Sequence, residues 1–111
     1  MATYMIAFRL NMNATYSDRR DSVVRAIRAE ANGSTTWEEM TSLIVLRSNK
    51  SADELARSIY VSSLFDGTSD ALLVVNMDNN THATRGEIID PLTLGTFFST
   101  EANGFLNALL G

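Results

Sequence analysis

The side chains able to do chemistry are few in this chain. It has no Cys and a single His, His82. Thiolate nucleophiles, disulfides, Cys-built zinc or iron–sulfur sites and His clusters are therefore excluded, and the sequence offers no set of metal ligands. His82 is a candidate base, because an imidazole titrates near neutrality. It falls in the polar, turn-rich stretch 78–87 with Thr81, Thr84, Arg85 and Glu87, and no Ser adjoins it. An ordinary loop histidine is the plainer reading, so no catalytic residue is assigned. Asp18 and Asp21 could hold a divalent ion, yet each is more simply a helix cap or a surface charge. Arg9, Arg19, Arg20, Arg25 and Arg28 could touch phosphates, since a guanidinium makes planar, bidentate contacts with them. Their plainer reading is a solvated helix face balanced by Asp18, Asp21 and Glu30. Trp37 stands beside Glu38 and Glu39 and could stack on a base. Burial in a core or an interface is the simpler account of it. Gly33, Gly67, Gly86, Gly95 and Gly104 are scattered and form no phosphate loop.

The elements that must position these residues follow from composition and pattern. The chain has 111 residues, 45% apolar and 20% charged, which is enough apolar content for a core and fits one domain over 1–111. Nine basic residues against thirteen acidic ones give a net charge of −4, so any nucleic-acid contact needs a local basic patch. No apolar run approaches the roughly 18 residues of a membrane span. The start, Met1-Ala2-Thr3-Tyr4, lacks the basic region of a signal peptide, and a cytoplasmic location is expected.

Residues 3–10 alternate, with Tyr4, Ile6, Phe8 and Leu10 on one face, which predicts a strand. Residues 17–31 carry Val23, Val24, Ile27 and Ala31 at helical spacing, with Ser17 or Asp18 as cap, an Asp21–Arg25 pair outside, and Asn32-Gly33 as the stop. Residues 35–48 read as a short strand, a turn at Glu38-Glu39 and a second strand at about 41–47, with one long bulged strand as the alternative. Ser51 and Glu54 form a capping box for a helix over 51–60. Residues 70–77 form a strand, apolar enough to be covered on both faces. An edge strand is expected over 84–89, with Pro91 limiting further pairing. A short helix is expected over about 100–110, with Thr100 as its cap.

The order strand, helix, strand, strand, helix, strand predicts an α+β, ferredoxin-like split β-α-β fold. A four-stranded antiparallel sheet carries two helices on one face, plus a C-terminal edge strand and a short helix. The pattern resembles the small Cas2-like proteins, and above all their stand-alone SinR-family relatives. The matching stretches are TYMIAFRLN, the short first helix with Arg19 and Arg20, the Trp37 region before LIVLRS, the helix SADELARSIY and the strand ALLVVNM, within residues 3–90. The resemblance implies a homodimer, and in some members a metal-dependent nuclease with an Asp at the end of the first strand. Here that place holds Arg9, or Asn11 in a slipped register, and neither is an anionic metal ligand.

The segment 92–111 is unusually apolar and must be buried on the chain's own core or on a partner. Trp37, Phe97, Phe98, Phe105 and Leu109 are therefore the expected interface residues of a homodimer. That dimer would join sheets or extend them edge to edge through the segment after residue 84. The expected function is that of a non-catalytic Cas2-like structural or interaction protein without a cofactor, making at most a weak nucleic-acid contact through the five arginines. One alternative is a Mg²⁺-dependent endonuclease with a non-standard carboxylate site. Another is a small-molecule-binding regulatory domain, which would need a closed apolar pocket between sheet and helices.

Overall fold

The structure is a computed structural model and describes residues 1–99. Alternation builds β1 (Ala2–Arg9): Tyr4, Ile6 and Phe8 are buried on one face while Met5 and Ala7 are half-buried on the other. α1 (Tyr16–Ala29) turns Val23, Val24, Ala26 and Ile27 into the same core. It starts just before the residues expected to cap it. Thr15 holds the capping position, but its side chain makes no cap bond. The Thr15 hydroxyl is occupied elsewhere, donating to Asn13 Oδ1 and accepting from Arg19 Nε. The expected Asp21–Arg25 pair is replaced by a bond from Arg25 Nε to the Asp21 carbonyl. The chain leaves the helix through Asn32 and Gly33 at φ 50° and 82°, the left-handed stop that their residue types predict.

β2 (Trp37–Met40) and β3 (Leu43–Ser48) form a hairpin within 35–48, but Glu38 and Glu39, expected to make the turn, lie inside β2 and the turn falls at 41–42, with an irregularity in pairing between Trp37 and Met40. α2 (Ala52–Val61) has the predicted capping box. Ser51 Oγ accepts from the Glu54 amide at 3.1 Å, and the Ser51 amide donates to Glu54 Oε1 at 3.4 Å. β4 (Ala71–Asn76) follows. β5 (Thr81–Gly86) begins earlier than the strand expected at 84–89, so His82 lies in a strand and not in a loop. The cause is a tight turn. Asn76 Oδ1 accepts from the amides of Asp78 and Asn79, and Asn80 takes the left-handed conformation at φ 58°. Pairing then resumes at once, from Asn76↔Thr81 to Ala71↔Gly86. α3 (Pro91–Gly95) is a short helix where the sequence showed only an end to pairing. Pro91 fills its first turn and Asp90 Oδ1 caps the Thr93 amide. The helix expected over 100–110 lies outside the described residues, as do Phe105 and Leu109.

The sheet has five strands in the order β2-β3-β1-β4-β5, and every neighbouring pair is antiparallel. α1 and α2 pack on one face through a core that includes Tyr4, Ile6, Ile27, Leu55, Ile59 and Leu72. This is the ferredoxin-like split β-α-β arrangement, with β5 added at the edge. On the opposite face of β4, Val75 is buried while Ala71 and Leu73 are half-buried, so the cover expected on both sides is partial there. Among the described residues, no helix is long and apolar enough to cross a membrane.

Candidate functional site

The five arginines read as a possible phosphate surface do not converge. Arg19 is 5% exposed and sits at the centre of a buried network. Its Nη1 donates to both oxygens of Asp70, at 2.7 and 2.6 Å, and its Nη2 to the Asn11 carbonyl at 2.5 Å and Asn13 Oδ1 at 2.9 Å. Asp70 is fully buried and also accepts from the amides of Asn11 and Asp66. Each charge therefore has a full set of partners, the condition under which a buried ion pair is tolerated. The network ties the end of β1, the start of α1 and the start of β4 together. Arg9, the last residue of β1, lies at the same end of the strand but stays exposed outside the network and donates to the Glu87 carbonyl at 3.2 Å. Arg20, Arg25 and Arg28 do share a shallow groove on α1, of about 330 Å³, with Asp21 and Val24. Arg20 reaches the Thr41 carbonyl, and Arg28 is paired bidentately with Glu38. That pair is exposed, and it holds the Glu38 carboxyl below its ordinary range, with help from Thr36.

The candidate acids and base are equally dispersed. Asp18 is exposed in the first turn of α1. Asp21 faces the arginine groove. His82 is in β5, and its ring stacks on that of Phe98, with centroids 4.5 Å apart and planes at 26°. Burial pushes the imidazole below its ordinary pKa. Among the described residues, no three His, Asp or Glu side chains gather to hold a metal ion. A polar groove of about 460 Å³ lies at the β5 edge and the start of α2, lined by residues such as Ser51, Asp53, Asn79 and Arg85. Arg85 and Asp53 pair across it at 2.9 Å.

What the strands do assemble is an apolar surface on the face away from α1 and α2. Register places Trp37, Val45, Met5, Val75 and His82 in one row across all five strands. The adjacent row is Met40, Leu43, Ala7, Leu73 and Thr84. Polar residues bound the band, with Thr3 and Arg47 paired beyond one row and Arg9 beyond the other. Trp37 is 42% and Met40 57% exposed at the β2 margin, and Trp37 Nε1 donates to Glu39 Oε2 at 2.6 Å. At the opposite margin Phe98 covers His82, while Phe97 is 68% exposed. Ile88 joins Ala7, Arg9, Ala71 and Leu73 around an apolar hollow of about 230 Å³.

The structure thus brings Trp37 and Phe98 onto margins of one band, together with strand residues that sequence reading did not select. The signal for them was present as the second, Met5-Ala7 face of the first strand and the mixed faces of 43–47 and 71–75. The two mixed stretches point to central placement in the sheet, while Arg9 on the Met5-Ala7 face points to an open sheet edge or an interface. No family model, curated protein or solved structure matches the chain. The ferredoxin-like fold therefore rests on topology and register, and fold alone carries no function.

Proposed function

We propose that this chain is a non-catalytic interaction module that forms a homodimer through the apolar face of its sheet. The observation that carries the reading is the two-row band of apolar side chains spanning β2, β3, β1 and β4, and ending at His82 and Thr84 of β5, on the face away from α1 and α2. A second copy is the occupant it fits best. A two-fold arrangement sets the Trp37–Met40 margin of one protomer over the His82–Phe98 margin of the other, so each projecting end meets the opposite end of the same band. Two sheets packed in this way lie about 10 Å apart with their side chains interdigitated. The resemblance to Cas2-like proteins agrees with a dimer. The Arg20–Arg25–Arg28 groove on the opposite side of the molecule would remain accessible and supports at most a secondary contact with phosphates.

Trp37 is the only tryptophan, so its emission reports the margin of the band directly. Dilution of the wild-type protein should shift its emission to the red as the ring becomes wet. Leu73→Arg places a charge in the middle of the band and should give red-shifted emission at every concentration, with unchanged far-UV circular dichroism. Emission independent of concentration and identical in the two proteins would overturn the reading.

A further inference from the structure

The segment after α3 is held on the sheet by three contacts around one imidazole. The Ser99 amide donates to the Asn80 carbonyl at 2.7 Å, and Asn80 Nδ2 donates to the Phe97 carbonyl at 3.2 Å. Between these bonds the Phe98 ring lies flat on His82. Asn80 can make both bonds because its left-handed backbone closes the β4–β5 turn beside the first residues of β5. The contact is local and specific, with one aromatic ring, one imidazole and one asparagine.

His82 Nδ1 is buried and has no hydrogen-bond partner among the described residues. In the neutral ring the unmet group is a lone pair or a single N–H, a modest cost. In the imidazolium it becomes a buried charged N–H with no protein acceptor among the described residues, and that cost is larger. The attraction of a cation for the Phe98 face opposes this effect, but it is weak beside the desolvation of a buried charge. The groups that face the imidazole supply no compensating anion. They are Val75 across the ladder on β4, Thr84 along β5 and Phe98 from the segment. The charged residues of the adjoining turn and strand are engaged elsewhere, Asp78 with the Thr3 amide and Arg85 with Asp53. Burial is accordingly the cause that lowers the His82 pKa.

We propose that residues 96–99 form an acid-released strap, docked on the β5 margin of the sheet face while His82 is neutral and detached when His82 is protonated. Release uncovers the His82 end of the apolar band and frees Phe98. The direction follows from linkage. The docked state binds the proton less well, so docking has its full strength above the ordinary imidazole value of 6.5 and weakens as pH falls below it. The inference concerns contacts within one chain and does not depend on self-association.

With a single His, the imidazole C–H resonances need no assignment by mutation. Proton–carbon NMR spectra would be recorded between about pH 5 and 8, the range in which imidazole changes charge. Wild-type protein would be compared with Phe98→Ala, and the amide of Ser99 followed in both. The wild-type imidazole should titrate below that of Phe98→Ala, in which the cover over the ring is lost. The wild-type Ser99 amide should move with the same midpoint. In His82→Phe, which keeps a stacked ring but cannot titrate, the Ser99 amide should keep its docked shift over the whole range. Equal midpoints in wild type and Phe98→Ala, a wild-type midpoint above that of Phe98→Ala, or a Ser99 amide that titrates unchanged in His82→Phe would each overturn the strap.

Discussion

Asp70 and Arg19 carry a larger structural burden than any other charged residues described here. Asp70 accepts from one guanidinium and two backbone amides while fully buried, so its loss leaves Arg19 and those amides unpaired in the core. Asp70→Ala should therefore lower stability by about 3–5 kcal/mol, read as a drop in the denaturation midpoint at constant slope. A loss below about 1 kcal/mol would mean that the network is dispensable. Gly86 is bound to the same place. A Cβ there would lie 2.0 Å from the Asp70 carbonyl oxygen, and φ is +90°. At Gly33 φ is +82° and nothing lies within 4 Å. Gly33→Ala should cost about 1 kcal/mol, the cost of backbone conformation alone. Gly86→Ala should cost clearly more, and equal midpoints for the two variants would contradict the close approach. None of this was legible in the sequence. Arg19 looked like one of several helix-surface arginines, because nothing in a linear pattern links it to a carboxylate 51 residues away. His82 was assigned to a loop because its polar neighbours hid the asparagine turn that starts β5.

At the scale of elements, local chemistry was far easier to read. The capping box of α2 stood in the sequence as Ser51 and Glu54, and both of its bonds form. Ser51→Ala should cost about 1 kcal/mol, measurable by urea denaturation. No change in midpoint would show that water replaces the cap without loss. Helix α1 was also legible from its apolar spacing, but its cap was not, since the arginine network claims the Thr15 hydroxyl. The short β2 strand is tied to α1 by Arg28 and Glu38, a contact between residues ten apart that the sequence did not suggest. Arg28 hydrogen bonding lowers the Glu38 pKa below 4.5. The support that Glu38 lends is present above that ordinary value and is lost as pH falls through the lowered one. The protection factors of the β2 amides, exchange rates taken relative to the intrinsic rate at each pH, should fall over that acid range in wild type and be low already at neutral pH in Arg28→Gln. Identical β2 protection in the two proteins would contradict the clip.

At the scale of the whole molecule, α1 and α2 cover one face of the five-stranded sheet, and the other face is apolar over β1 to β4 and covered at its β5 margin, where Phe98 lies on His82. The fold was legible because period-two and helical spacing repeat in the ferredoxin-like order. The surface was only half legible. Trp37 and Phe98 were selected as apolar residues in need of burial, and both lie at margins of the band. Its centre, Met5, Val45, Leu73 and Val75, is set by strand register, which no single segment reveals. A band of this kind in a small domain is an expected site of association. The most direct test is the mass of the native particle, measured by light scattering during size exclusion, for wild type and Leu73→Arg. The account predicts twice the 12.2 kDa chain mass for wild type and a single chain mass for the variant. A wild-type monomer at all concentrations, or a dimer that survives Leu73→Arg unchanged, would contradict it.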